Sequence, residues 1–184
     1  MKKVIGLFLV LGASIGAGLV YWNSTTFNAQ DVPESYKILD KLETEGLYAG
    51  EDFKITDLEG KQIQLSSLKG KIVIFSFWAT WCEPCVEEFP SFIKLLDQFP
   101  EKVVLLALSH DYEKSDVTEF VKAFKGFRKN MILSMDEDKK LSTAFGVDRL
   151  PEGFVFDGEG KLVKKIIGIQ DWATPNAFEF FGGL

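Results

Sequence analysis

The chain spends its only two cysteines in Trp81-Cys82-Glu83-Pro84-Cys85. Just before them, residues 71–79, KIVIFSFWA, form a nearly unbroken apolar run, the pattern of a strand buried on both faces. Just after them, residues 83–98 read as a helix with Phe89, Phe92, Ile93, Leu95 and Leu96 as its apolar content. The pair therefore falls where a buried strand gives way to a helix. Cysteines three apart at a helix start can set their sulfurs on one side, within bonding reach. Unpaired backbone N–H groups and the helix dipole favour negative charge there. That setting commonly lowers a thiol pKa from its ordinary ~8.5 and raises the thiolate fraction at neutral pH. The chemistry that fits is thiol–disulfide exchange. Cys82, the more exposed of the two, would attack and form a mixed disulfide, and Cys85 would displace the product thiol.

Other uses of the pair fit less well. Closing a four-residue loop stabilises a fold by only roughly 2 kcal/mol, against roughly 3 for fifteen residues, so the pair is a poor staple. A closed zinc site needs four ligands, and one His with no third Cys cannot supply them. Peroxide chemistry needs one reactive Cys and leaves the second unexplained. Cu(I) suits soft thiolates, which keeps a copper-handling assembly factor for a respiratory oxidase as an alternative, although the chain has no second thiol pair and no Met-rich loop. A binding domain with a disulfide staple and no turnover is a third reading.

Around this centre, the hydropathy pattern predicts alternating strands and helices. A hairpin is expected from residues 52–57 and 62–65 around LEGK, strands at 103–108 and 131–135, and helices at 116–127 and within 137–147. After Pro151 two strands flank a DGEG turn, and a last helix is expected at about 174–180. That order implies an α/β domain with a mixed central sheet and helices on both faces. Hydrophobic residues make up 46% and charged residues 26%, the balance of a folded chain. The net charge is −6, and without Lys2 and Lys3 it falls to −8. With no basic stripe, nucleic-acid backbone binding is excluded as an expectation.

Residues 4–22 carry no charge, and nineteen helical residues reach ~28 Å, close to the hydrocarbon thickness of a bilayer. Residues 1–22 are therefore expected to be a transmembrane anchor, with Lys2 and Lys3 cytoplasmic and Tyr21 and Trp22 at the far interface. A cleaved signal peptide is the competing reading, but no small-x-small site directly follows the apolar run. Residues 23–46 read as a linker, with a short helix possible at 34–46, and residues 47–184 as the folded domain. The domain would then face the extracytoplasmic, periplasmic side of the cell membrane.

The stretch YAGEDFKITDLEGKQIQLSSLKGKIVIFSFWATWCEPCVEEFP, with GVDRLPEGFVFDGEGKLVKKIIG downstream, resembles the TlpA/ResA group of membrane-tethered thioredoxin-like proteins. The resemblance covers roughly residues 47–172 and includes the N-terminal anchor. It implies a thioredoxin-like fold with an N-terminal hairpin extension. It implies reduction of protein disulfides outside the cytoplasm, with apocytochrome c CxxCH pairs as clients. A transmembrane thiol carrier of the DsbD type would donate the electrons. No separate cofactor is implied; the redox centre is the Cys82–Cys85 pair.

Carried over residue by residue, the resemblance makes Cys82 the nucleophile, Cys85 the resolving thiol, Glu88 an acid that tunes the site, and Pro151 a cis proline. A cis turn would expose the backbone of Leu150 to an extended substrate strand. Glu83 and Pro84 lie between the thiols, where Pro84 suits a first helical turn and Glu83 would raise the Cys82 pKa by like-charge repulsion. Trp81 and Trp78 are candidates to shape the contact surface, with core packing the other reading for both. His110, the only histidine, reads chiefly as a polar loop residue. There are two departures from the pattern. Ser76 stands where many thioredoxins carry an acid, and Glu152-Gly153 replaces the usual small residues after the proline.

Overall fold

The computed structural model describes residues 41, 45–48 and 54–184. The expected anchor at residues 1–22 lies outside the described residues, as does all of the 23–46 linker except Lys41, Glu45 and Gly46. Among the described residues no helix is long and apolar enough to cross a membrane. Lys41 and Glu45 are helical and pair at 3.9 Å across one turn. The chain joins the folded domain at Leu47, whose N–H donates to the Gly160 carbonyl at 2.6 Å. Gly46 turns it there at φ +86°, where an added Cβ would stand 2.9 Å from that carbonyl.

The expected hairpin forms from β1 (Lys54–Thr56) and β2 (Gln62–Gln64), paired antiparallel. Asp57 closes its turn, Oδ1 accepting from the N–H groups of Glu59 (2.9 Å) and Lys61 (2.8 Å). The main sheet has five strands: β3 (Ile72–Trp78), β4 (Val103–Ser109), β5 (Met131–Met135), β6 (Glu152–Phe156) and β7 (Leu162–Ile167). Their order is β5-β4-β3-β6-β7. β3, β4 and β5 run parallel, and β6 pairs antiparallel with both β3 and β7. Every residue of β3 and β4 is buried, which is why their sequences show apolar runs rather than alternation.

The period-2 geometry of β3 splits the core in two. Ile72, Ile74 and Trp78 face one side, with Phe89, Phe92, Leu95 and Leu96 of α1 (Glu83–Gln98), Val117 of α2 (Lys114–Phe124) and Phe181 of α4 (Pro175–Gly183). Val73, Phe75 and Phe77 face the other, against Leu47, Leu65, Phe145 and the short α3 (Lys140–Ala144). Much of the high phenylalanine content sits in these two layers. Phe89 alone meets the rings of Trp78 (4.6 Å), Phe120 (5.3 Å) and Phe124 (5.6 Å). Each such ring, fully buried, contributes roughly 1.5–3 kcal/mol.

α1 spans the residues that the periodicity predicts, although Pro90 lies inside it and cannot donate a backbone hydrogen bond. α2 begins and ends earlier than expected. Lys125 turns left-handed at φ 49°, and Phe127 folds back onto Phe89 and Phe120 instead of extending the helix. The helix expected within 137–147 is broken. Asp138 and Lys139 are left-handed, so a 3-10 turn (Glu137–Lys139) precedes α3. Asp136 caps α3, its carboxylate accepting the N–H groups of Leu141 and Ser142, both at 2.9 Å. α4 runs on to Gly183 from a Thr174 cap, whose hydroxyl accepts from Ala177 at 3.1 Å.

Candidate active site

Cys82 is the N-cap of α1 and Cys85 lies in its first turn. The two are joined as a disulfide with their Cα atoms 5.3 Å apart. Cys82 retains 8% of its surface and lines a groove, whereas Cys85 retains only 1% and does not, so Cys82 is the more accessible of the two. Glu83 and Pro84 are exposed at the first helical turn, with Pro84 placed where its missing N–H costs no helical hydrogen bond.

A groove of about 540 Å³ opens beside Cys82. Its walls bring together Trp81, Glu83, Pro84 and Leu150, four of the five residues named from sequence as substrate-facing, and add His110; Pro151 does not line it. The Leu150–Pro151 peptide is cis, and Pro151 itself is buried where the chain enters β6. Trp81 is 64% exposed. Trp78 is not on this surface; its ring packs against Phe89 and Phe120 in the core. His110 extends the β3–β4 ladder, donating its N–H to the Trp78 carbonyl at 2.8 Å. Its Nε2 lies 3.4 Å from Asp136 Oδ2.

Glu88 lies one helical turn beyond Cys85 on the same face of α1. It is buried beneath the loop that follows β7. Its Oε1 accepts from the Gln170 N–H at 2.6 Å and from the Trp172 indole N–H at 3.2 Å. Burial pushes its carboxyl pKa up to about 7, and these two hydrogen bonds pull the other way without cancelling the rise. The site thus holds a group able to gain or lose a proton near neutral pH, a turn from the inner sulfur.

The structure places both departures from the pattern on β3 and β6. Ser76 lies on β3 between Ile74 and Trp78, on the α1 side, and pairs in register with Gly153. Gly153 leaves room for Trp172, since a Cβ there would stand 3.4 Å from the indole ring. Glu152 points to the opposite face, beside Phe154, where Lys165 Nζ meets its Oε1 at 2.7 Å. Its Oε2 accepts the Asp148 N–H at 3.2 Å, bracing the loop that carries Leu150.

Sequence reasoning missed Gln170 and Trp172, which hold Glu88 from more than eighty residues away. Trp172 also stacks on Phe92 at 4.7 Å and donates its backbone N–H to Ser91 Oγ at 3.1 Å. No local spacing signals such a contact; only the presence of a tryptophan after the last strand hinted at a partner for a buried polar group.

The fold and the cysteine pair define a thioredoxin-like redox protein. The chain belongs to the AhpC/TSA family, whose sequence profile matches residues 49–165. It is similar to the thiol-disulfide oxidoreductase ResA of Bacillus cereus, 41% identical over 120 residues, which are 65% of this chain and 68% of that protein. Among solved structures it resembles the pneumococcal exposed lipoprotein thioredoxin Etrx1 of Streptococcus pneumoniae. There the identity is 30%, the TM-score 0.57, and the match covers 73% of this chain and all (100%) of that one. It also resembles StoA of Bacillus subtilis, at 25% identity and TM-score 0.58, covering 72% and 95%. The protein is a thiol-disulfide oxidoreductase.

Proposed function

We propose that this protein reduces disulfides in client proteins outside the cytoplasm, with apocytochrome c as its client class. The observation that carries the reading is the Cys82–Cys85 disulfide at the start of α1, with a buried Glu88 carboxyl one turn away. In the reduced protein, the Cys82 thiolate attacks a client disulfide, and the client's leaving sulfur takes up a proton. Cys85, deprotonated, then attacks Cys82, closing the Cys82–Cys85 bond and releasing the second client thiol. Two electrons pass to the client, and its two released sulfurs take their protons from solvent. Glu88 accepts the Cys85 proton on the forward path and returns it when the pair is reduced again. A client segment lies in the groove beside Cys82, over Trp81, Glu83 and Pro84, and pairs with the backbone at Leu150 before Pro151. A transmembrane thiol carrier of the DsbD type regenerates the dithiol, and residues 1–22 tether the protein to the membrane. The resemblance to the TlpA/ResA group supports these choices of client, donor and location.

The test is a trap. Cys85→Ser stops the resolving step, so mixed disulfides through Cys82 should accumulate, and an oxidised apocytochrome c peptide with CxxCH should be captured. If no adduct forms while a competent donor keeps Cys82 reduced, the client reading fails. Stoichiometric copper held by the reduced protein against a competing chelator would favour the copper-handling alternative instead.

A further inference from the structure

The loop Ala79-Thr80-Trp81 carries the chain from β3 to Cys82 and has few anchors of its own. One is local: the Cys82 N–H donates to the Ala79 carbonyl at 3.2 Å. The other comes from 31 residues away. Asp111, just past the end of β4, accepts the Thr80 N–H at Oδ2 (2.9 Å) and the Thr80 hydroxyl at Oδ1 (2.6 Å). The carboxyl is itself held. Ser109 Oγ donates to its Oδ2 at 2.6 Å and accepts the Asp111 N–H at 2.9 Å. Asp111 is 5% exposed, and no Lys, Arg or His lies within ion-pair distance of it among the described residues. A buried acid without a cation is costly to keep unless its hydrogen bonds serve the structure. Here every side-chain hydrogen bond of that carboxyl goes to the active-site loop or to the residue that steadies the acid.

From this geometry we infer that Asp111 is a positioning residue for the redox centre: by gripping Thr80 at both its N–H and its hydroxyl, it fixes the approach of Cys82 to Cys85. The inference rests on the reading of Cys82 and Cys85 as the exchanging pair. Asp111 does not touch the sulfurs; it acts through Thr80, two residues upstream of Cys82. The consequence is an effective concentration. A loop held at two points presents Cys82 to Cys85 in the orientation that the disulfide needs, whereas a freed loop samples others and lowers that concentration. Disulfide formation is favoured by the clamp, so the clamped protein is the stronger reductant.

The equilibrium that reads this out is exchange with glutathione. The Cys82 and Cys85 thiols give two electrons and two protons to one glutathione disulfide, yielding two glutathione thiols and the Cys82–Cys85 bond. Asp111→Ala should lower that equilibrium constant about tenfold, ~30 mV on the two-electron scale. Thr80→Val, which removes only the hydroxyl contact, should lower it about threefold by the same reasoning on a single hydrogen bond. Asp111→Asn keeps the shape and can still accept the Thr80 N–H while its amide donates to a neighbouring hydroxyl, so it should restore most of the constant lost in the alanine variant. Far-UV circular dichroism and a melting curve establish that each variant is folded; if Asp111→Ala does not fold, Thr80→Val decides. Wild-type constants for folded Asp111→Ala or for Thr80→Val would overturn the inference. So would an Asp111→Asn shift as large as that of alanine, since charge rather than positioning would then be responsible. A wild-type protein with no measurable exchange would refute the parent reading instead.

Discussion

Replacing Glu88 by glutamine should change how the oxidised protein responds to pH, and the size of the change follows from its surroundings. The Glu88 carboxyl is raised from its ordinary 4.5 to about 7 because burial penalises its charged form more than Gln170 and Trp172 stabilise it. The unfolded chain holds this proton less tightly than the folded one. Stability from Glu88 is therefore greatest at low pH and is lost as pH rises from the unfolded pKa through the folded one. Between pH 5 and pH 8 that loss amounts to about 2–3 kcal/mol, at ~1.4 kcal/mol per pKa unit. In urea, with a slope of ~2 kcal/mol/M, the unfolding midpoint should fall by about 1 M over this range. Glutamine cannot ionise and its carbonyl can keep both acceptor roles, so Glu88→Gln should flatten most of that dependence and be the more stable protein at pH 8. Asp136 does not confound the range: its carboxyl is lowered to about 2, with the opposing desolvation outweighed by the His110 imidazole 3.4 Å away and by the hydrogen bonds from the Ser142 and Leu141 N–H groups. Its contribution is lost only in strong acid. A wild-type midpoint that stays level or climbs from pH 5 to pH 8 would refute the reasoning, as would a slope that survives unchanged in Glu88→Gln.

Two further substitutions probe the walls of the site. Gly153→Val would drive a branched side chain into the Trp172 ring, which already lies at contact distance from a Cβ there. It should cost about 1–3 kcal/mol in a denaturant melt and move Trp172 off Glu88, visible as altered tryptophan fluorescence. Trp81→Ala removes a ring that is 64% exposed, so stability should change by less than about 0.5 kcal/mol. Steady-state kinetics should show a higher KM for a protein disulfide and an unchanged rate with a small one such as dithionitrobenzoate.

What could be read from sequence was what local chemistry controls. The boundaries of α1 followed from the apolar spacing and from Cys82 and Pro84 at its start, and they coincide with Glu83–Gln98. The β1–β2 hairpin followed from LEGK, and β3 and β4 from runs that only a doubly covered strand would carry. The break before α3 was not legible, because Asp138 and Lys139 take left-handed conformations with no glycine to announce them. The early end of α2 was hidden for a related reason. Phe127 fits the helical stripe on paper, but the ring cluster around Phe89 draws it in from the turn at Lys125. The cysteine pair and Glu88 were visible as residues, whereas the grip on them was not. Trp172 and Asp111 act across loops that meet only when the sheet is assembled.

The burial gradient through the site bears on the order of chemical events under the proposed function. Cys82 meets the client, Cys85 is sealed behind it, and Glu88 is buried a turn further along, beneath Trp172. When a donor thiol opens the disulfide at Cys82, the leaving sulfur is Cys85. A thiolate there has almost no access to water, and its surroundings are apolar. Such an anion is costly unless a proton arrives with it. A carboxyl that is half protonated near pH 7, a turn away on the same helical face, is placed to supply it and to take it back when Cys85 next attacks. The same burial that destabilises the Glu88 anion therefore gives the inner thiol a proton source, and Gly153 keeps the space in which Trp172 holds it.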